Sequence, residues 1–245
     1  MGILSSAEAQ TISPEQDSSA HTRFRSFYKS RDVGGLPNLL QDLDRSAGGD
    51  WTAHPPIIGF IAGILIENPS RFDLLPNDAS TVLQADLALA YSLSGQSERG
   101  LAIARQIGLD EKRQAFIRSA PSLKTLTVRN PTELDYLWGA AFATGNPLYI
   151  RAIVKRFTQL VDQPEKANDI LAISEFMQTK KGDIRWLKER YDRATLLDMA
   201  LASAILVALS RNVAEHEFIR KVVAEDLPKD GYAHRILTAF SGQGS

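Results

Sequence analysis

The chain contains no cysteine among its 245 residues. This absence excludes disulfide bonds, thiolate nucleophiles, zinc sites built on cysteine and iron–sulfur clusters held by cysteine. It does not fix the cellular compartment, because proteins without disulfide bonds function on both sides of a bacterial membrane.

Apolar runs long enough to span a membrane are also missing. The longest run, residues 57–66, reaches about half of the roughly 20 residues that a spanning helix needs. We therefore predict no transmembrane segment and interpret this run as a buried core helix. Gly59 and Gly63 within it favour the close approach of a second helix, because small residues leave room for a neighbouring backbone.

Neither sign of charge is in excess. The chain has 28 lysine and arginine residues against 29 aspartate and glutamate residues, for a formal net charge of -1. A near-neutral chain has no overall field that would attract nucleic acid or an anionic membrane. We therefore expect no nucleic-acid partner.

The common catalytic and cofactor-binding motifs are missing as well. The sequence has no phosphate-binding loop of the form Gly-x-x-x-x-Gly-Lys-Ser/Thr and no Gly-x-Ser-x-Gly nucleophile turn. The metal motif His-Glu-x-x-His is not present at His216, because the residue four positions on is Arg220. These absences predict no catalytic residue, no cofactor and no metal site, and they favour a protein that is not an enzyme.

Polar residues outside such motifs are interpreted as surface groups. His54 precedes two prolines at a predicted helix start and is expected to be a solvated cap. His216, between two glutamates, is expected to be exposed. Acid pairs such as Glu133 and Asp135 are typical of a surface rich in carboxylates, and we do not assign them to acid–base chemistry.

Helix signals dominate what is present from residue 36 onward. In residues 130–133 (Asn-Pro-Thr-Glu), Asn130 predicts an N-cap, the proline suits the first helical position and Glu133 can complete a capping box. Residues 145–147 (Gly-Asn-Pro) predict the end of that helix and the start of the next, and so short a link predicts antiparallel packing. The predicted fold class is all-α, with antiparallel helical hairpins in a divergent α-solenoid or an irregular helical bundle.

Three boundaries are less sharply marked. Residues 194–209 predict a long helix, with a turn at Arg211-Asn212 and a further amphipathic helix over residues 214–225. Residues 123–128 alternate apolar and polar side chains, which fits either a half-buried strand or an extended linker or part of a helix.

Two of the predicted hairpins share a pattern of apolar residues followed by a turn glycine. The first hairpin resembles a tetratricopeptide repeat, and the matching positions are Leu87, Ala88, Tyr91, Gly95, Gly100 and Ala104. The spacing between the turn glycines, Gly95 and Gly145, differs from the period of roughly 34 residues of true tandem repeats. Residues 130–145 also look like a signature of an uncharacterised bacterial family, which implies no activity.

The predicted domain organisation is a disordered leader over residues 1–22, a single helical domain over residues 23–240 and a flexible tail over residues 241–245. Ala7-Glu8-Ala9 has the form of a signal-peptidase site, but no basic or apolar region precedes it. Met1-Gly2 with Ser6 matches the N-myristoylation pattern. The expected location is the cytoplasm, or the periplasm or exterior if a native signal peptide was replaced before Ala9.

A short segment near the start combines cations with aromatic residues. Its candidate partner-binding residues are Arg23, Phe24, Arg25, Phe27 and Tyr28. Such a segment can dock on an acidic partner or stack on bases. Alternatively, the aromatic residues, at i, i+3 and i+4, form the apolar stripe of a first helix whose cations face water.

Three functions remain open from the sequence. The first is a non-enzymatic helical scaffold that binds a protein or peptide partner, as the hairpins and the missing motifs favour. The second is a small-ligand binder or enzyme with an unrecognised inter-helix site, which predicts an enclosed pocket with several converging polar side chains. The third is an exported bacterial factor, which depends only on the leader.

Overall fold

The computed structural model describes residues 14–47, 54–70, 74–76, 78–161 and 163–242, with side chains from residue 19 onward. Within these ranges every regular element is helical and no strand occurs, so the all-α fold class is confirmed. The helices are α1 (Pro14–Ser30), α2 (Leu36–Ala47), α3 (His54–Glu67), α4 (Thr81–Leu93), α5 (Ser97–Gln106), α6 (Glu111–Ser119), α7 (Pro131–Thr144), α8 (Pro147–Leu160), α9 (Pro164–Thr179), α10 (Leu187–Arg190), α11 (Arg193–Glu215), α12 (Glu217–Asp226) and α13 (Tyr232–Gly242).

Helices α3 and α7 form the centre of the fold, and their backbones touch. A Cβ atom on Gly139 would lie 1.9 Å from the carbonyl oxygen of Pro56, and one on Gly59 would lie 2.1 Å from that of Tyr136. Gly63 has less severe contact, since its Cβ would lie 3.0 Å from Cα of Ala140. Residues 57–66 therefore form the predicted buried helix, and the predicted close approach at its glycines is confirmed.

The two central helices run in the same direction. Arg31, just after α1, donates a hydrogen bond of 2.8 Å to the carbonyl oxygen of Thr144 at the end of α7. The same guanidinium forms an ion pair of 3.8 Å with Glu67 at the end of α3. Three helices lie between α3 and α7 in the chain, so this parallel pair is not a contact between sequence neighbours. The pair does not establish a solenoid arrangement.

The predicted N-caps and the glycine turn at the ends of α7 are confirmed, whereas the Glu133 side chain binds the residue before the N-cap and does not complete the predicted capping box. The side chain of Asn130 accepts a hydrogen bond of 3.0 Å from the backbone N–H of Glu133. The Glu133 carboxylate in turn accepts the N–H of Arg129, one residue before the cap, at 2.7 Å. Gly145 is left-handed, with φ 67°, and Asn146 caps α8 through the N–H of Leu148 at 3.0 Å.

The hairpin of α4 and α5 packs through a small residue as well. Gly95 adopts φ 90° in the turn, and a Cβ on Gly100 would lie 2.2 Å from the carbonyl oxygen of Ala88. Ala104, one turn further along α5, is buried. The small residues singled out in this hairpin therefore have a packing reason of their own. The resemblance to a tetratricopeptide repeat stays a prediction.

Several boundaries differ from the sequence prediction. Helix α1 already begins at Pro14, so residues 14–22 are helical where an irregular leader was expected; residues 1–13 lie outside the described part. Residues 123–128 hold one 3-10 turn, Leu123–Thr125, followed by extended backbone that pairs with no described strand. Their alternation reflects the burial of Leu123, Leu126 and Val128 beneath α3 and its neighbours.

Helix α11 continues through the turn that was predicted at Arg211-Asn212. Asn212 stays helical because its amide donates to the carbonyl oxygen of Ala208 at 2.9 Å and its oxygen is held by Arg25. The helix ends at Glu215, and His216, in extended conformation, separates it from α12. No glycine or proline marks that break, which explains why the sequence misplaces it.

Helix α11 is also the one helix in the described ranges that is long and apolar enough to cross a membrane by length and composition alone. The sequence predicts no such segment, because its criterion is an unbroken apolar run. In the fold, 39% of the most apolar window of α11 is buried. Its buried residues pack against α8, α9, α12 and α13, and a core helix has the same composition.

Candidate functional site

Two clefts lie along the central helix pair and are separated by it. Asp135, Trp138 and Phe142 of α7, at i, i+3 and i+7, line the first. Thr132 and Tyr136 of the same helix line the second. We name them the Asp135 cleft and the His54 cleft after one titratable residue that lines each.

The Asp135 cleft has a volume of about 620 Å³ and is walled by α1, α2, α3, α7, α9 and α11. Most of its wall is apolar, and three aromatic rings, Phe24, Trp138 and Phe142, contribute to it. This size falls within the range of ligand pockets in general. The polar residues that converge on the cleft are His21, Arg25, Ser46, Asp135, Arg211 and Asn212.

Asp135 is the acidic residue of this wall, and no described residue compensates its charge. It is half-buried and has no hydrogen bond or ion pair with any described residue. Burial alone raises the pKa of its carboxyl group to about 6. At neutral pH the group is still mainly ionised, so the fold holds a partly desolvated carboxylate with no partner.

Trp138, one turn beyond Asp135, carries a second polar group without a partner. Its side chain is 5% exposed, and its indole Nε1 is buried without a hydrogen-bond acceptor in the described part of the chain. The ring stacks on Phe142, with centroids 5.9 Å apart. Buried polar groups in native structures are nearly always hydrogen-bonded, so this N–H requires an explanation.

The opposite end of the cleft is basic, but its charge is paired. Arg25 donates a hydrogen bond of 2.8 Å to the side-chain oxygen of Asn212 and forms an ion pair of 2.6 Å with Glu215. Glu215 also accepts a hydrogen bond of 3.3 Å from Arg211, whose side chain is largely exposed. The cleft therefore has an uncompensated acidic end and a compensated basic end.

His216 lies behind the basic end and corrects the prediction of an exposed histidine. It is buried between the rings of Tyr28, Phe142 and Phe218, and its Nδ1 lies 3.2 Å from the Tyr28 hydroxyl. Burial lowers the pKa of His216 to about 4, and the nearby positive charges of Arg25 and Lys29 act in the same direction. The imidazole is therefore neutral at physiological pH, and its Nε2 atom has no hydrogen-bond partner among the described residues.

The five candidate residues of α1 have different fates. Phe24 and Phe27 are buried against Phe60, with centroid distances of 4.8 and 5.0 Å. Arg23, on the outer face, pairs with Asp42 of α2. Arg25 enters the Asp135 cleft and Tyr28 packs on His216, so the segment is the amphipathic helix of the second interpretation.

The His54 cleft, of about 310 Å³, contains a buried acid that is paired. His54 Nδ1 lies 2.6 Å from Asp86 Oδ2, and both side chains are almost fully buried. Burial raises the pKa of Asp86, and its hydrogen bond to His54 acts against that shift. His54 was predicted to be a solvated cap; it is buried instead because α4 places Asp86 beside the first turn of α3.

A third cavity of about 380 Å³ continues the His54 cleft along α7. The two share Leu89, Phe116, Thr132 and Tyr136, and together they form a groove between α4, α6 and α7. Phe116, with 57% of its side chain exposed, stands at the shared boundary. The far end of the groove carries the bidentate pair of Arg129 and Glu133.

The sequence did not nominate Asp135, Trp138, Asn212 or Asp86 for a site. One signal was available for Asp135, since it is the only charged residue after Glu133 in an otherwise apolar helix. The same signal marks Asp86, the only charged residue of α4, whereas nothing local marks Trp138 or Asn212. In the described ranges, no group of three histidine, aspartate or glutamate side chains is arranged to hold a metal ion.

No protein-family model, no curated protein and no solved structure matches this chain. The candidate site is therefore inferred from the geometry of the chain's own residues.

Proposed function

We propose that this protein binds a small organic molecule in the Asp135 cleft. The observation that carries the proposal is that Asp135 and Trp138, one helical turn apart, line one cleft, and that the Asp135 carboxylate and the buried Trp138 indole N–H lack partners in the described structure. An ionised carboxylate without a partner in a partly dry site costs stability. Such a cost is typical of residues kept for binding or catalysis.

The shape and lining of the cleft support the same proposal. It is bounded by six helices, so its walls are held by the core, and its lining combines aromatic surface with a few polar groups, as ligand pockets generally do. The Arg25, Asn212 and Glu215 network fixes the basic end before any ligand arrives. A preformed site of this kind loses little conformational entropy on binding.

The test is a fragment screen on the full chain, monitored by ¹H–¹⁵N NMR. We expect bound fragments to shift the Trp138 indole resonance together with backbone resonances of the cleft wall. Ala208→Phe should abolish these shifts, because residue 208 lines the cleft and a phenyl group there occupies its volume. Ala214→Phe is the matched control, since residue 214 is exposed on the same helix. Shifts that survive Ala208→Phe, or that fall only on other surfaces, contradict the proposal.

A second candidate is the helical scaffold that binds a protein or peptide. It is favoured by the groove along α4, α6 and α7 and by the exposed ring of Phe116 within it. An exposed aromatic residue beside a groove is a common anchor of protein interfaces.

Capture experiments from source-cell extract distinguish this candidate. Phe116→Ala should lose a partner that the wild-type chain retains. Leu148→Ala removes a similarly exposed apolar side chain from α8, away from the groove, and should keep it. Equal capture by both variants argues against a partner in this groove.

A further inference from the structure

We propose that the ligand of the Asp135 cleft is an organic ammonium ion with an apolar body, held by an ion pair with Asp135 and by the aromatic wall. This inference rests on the proposed function and specifies its ligand. It follows from the distribution of charge and aromatic surface in the cleft and from the unpaired Asp135 carboxylate.

The first step is the imbalance between the two ends. At the basic end, Arg25 is already held by Asn212 and Glu215, at 2.8 and 2.6 Å. An anion arriving there would compete with two existing acceptors. At the acidic end, Asp135 has no cation and no donor among the described residues. A ligand cation would supply the missing charge, whereas a ligand anion would increase the repulsion.

The second step is the neighbourhood of Asp135. Residues three apart on a helix lie on one face, with their Cβ atoms about 5 Å apart, so a cation paired with Asp135 is within reach of the Trp138 ring. Tryptophan is the aromatic side chain that attracts cations most strongly. Phe24, Phe142 and Met177 line the same cleft and provide apolar surface for the rest of the molecule.

The third step concerns the length of the ligand. Asp135 and Phe142 are seven residues apart on α7, which corresponds to about 10 Å along the helix. Arg25 lies over the ring of Phe142, 5.8 Å from its centroid. An ammonium group at Asp135 therefore leaves room for a body that follows two turns of α7 towards the basic end.

The experiment compares matched ammonium, alcohol and carboxylate compounds built on phenylethyl, indolylethyl and hexyl bodies. Affinities come from NMR titration of the full chain at pH 8. We expect the ammonium member of at least one series to bind at least tenfold more tightly than its alcohol, and the carboxylate to bind most weakly. Asp135→Asn should reduce ammonium affinity at least tenfold and leave the alcohol unchanged. Asp198→Asn, which removes an exposed acid of α11, is the control.

A second readout separates an ion pair from a merely structural role of Asp135. Ammonium affinity should fall as the pH is lowered from 8 to 5, because protonation of Asp135 removes the negative charge. The other titratable groups that line the cleft are His21, Arg25 and Arg211. Any contribution of these three groups persists in Asp135→Asn, so the difference between the two pH profiles belongs to Asp135.

The possible failures are distinguishable. If alcohols or carboxylates bind in the cleft as tightly as the ammonium compounds, or if Asp135→Asn binds the ammonium compounds as tightly as the wild-type chain does, the ligand class is wrong while small-molecule binding stands. If no compound of this set and no fragment of the wider screen shifts the cleft resonances, both the ligand class and the proposed function are wrong.

Discussion

Each side of the α3–α7 pair holds a desolvated carboxylate, and only one of the two has a partner. In the His54 cleft, Asp86 lies 2.6 Å from the His54 imidazole, so its hydrogen-bonding capacity is used within the fold. In the Asp135 cleft, the carboxylate has no partner in the described structure. The difference teaches that burial alone does not indicate a function. A paired acid joins two helices, whereas an unpaired acid costs stability and is better explained by something that binds to it.

Helices α3 and α7 form the wall between the two clefts. Gly139→Ala disturbs this wall and should have the largest effect on the free energy of unfolding. A methyl group there would meet the backbone of Pro56 and Phe60 at 1.9 and 2.7 Å, so α3 and α7 must separate. We expect a loss of about 3 kcal/mol or more in the free energy of unfolding, at the upper end for overpacking, measured by urea denaturation. Gly242→Ala, where no atom lies within 4 Å of the added carbon, should be nearly neutral. Equal stability of the two variants would show that the helices adjust freely.

Substitution of the paired acid, Asp86, should have the next largest effect on the free energy of unfolding. Asp86→Asn replaces a carboxylate that binds His54 with an amide whose N–H₂ has no evident acceptor in a buried position. We expect it to cost about 2 kcal/mol, the usual range for a lost charge-assisted hydrogen bond and an unsatisfied buried donor. Urea denaturation of this variant against the wild-type chain is the measurement. A stability gain would mean that the pair is not structural.

Substitution of the unpaired acid, Asp135, should change the free energy of unfolding in the opposite direction. Asp135→Asn removes a desolvated charge, and we expect it to raise stability at pH 7 by about 1 kcal/mol after allowance for partial exposure. The sign follows from the raised pKa: the folded state holds the proton up to about pH 6, the unfolded state only to about 3.8. The advantage of the variant should therefore be full above pH 6 and vanish as the pH falls towards 4.

Denaturation curves between pH 4 and 8 test this directly. A variant that is less stable than the wild-type chain at pH 7 would indicate that Asp135 has a partner within the protein. Together with loss of ammonium binding, a stability gain in Asp135→Asn would mark a residue retained at the expense of the fold.

How far the sequence predicts these features depends on the range of the interactions involved. The helix ends at Asn130, Gly145 and Asn146 were predictable because capping and left-handed turns involve only neighbouring residues. The break at His216 was not, since it is imposed by distant rings of α1 and α7 rather than by a local stop signal. The continuity of α11 through Asn212 has the same origin, because Arg25, 187 residues earlier in the chain, holds that side chain.

In the candidate site, too, the features set by neighbouring residues were predictable and those set by distant residues were not. Arg25 and Phe24 were singled out as part of an unusual cluster, and both line the Asp135 cleft. Phe24 is buried, as the apolar-stripe interpretation expects, whereas Arg25, expected to face water, is largely buried by helices that the local sequence does not reveal. The histidines show the error most clearly. His54 and His216 look like solvated polar residues in their local sequence, and each is buried by elements far along the chain.

By itself, the sequence determined the all-α class, the hairpin turns and the close-packing glycines of α3, because periodicity, capping and residue size are local properties. The parallel direction of α3 and α7, the two clefts on their flanks, and the pairing of Asp86 but not of the half-buried Asp135 become visible only in the folded structure. Pairing and desolvation are set by residues that are distant in the chain, and one helix face cannot reveal what the fold brings opposite to it.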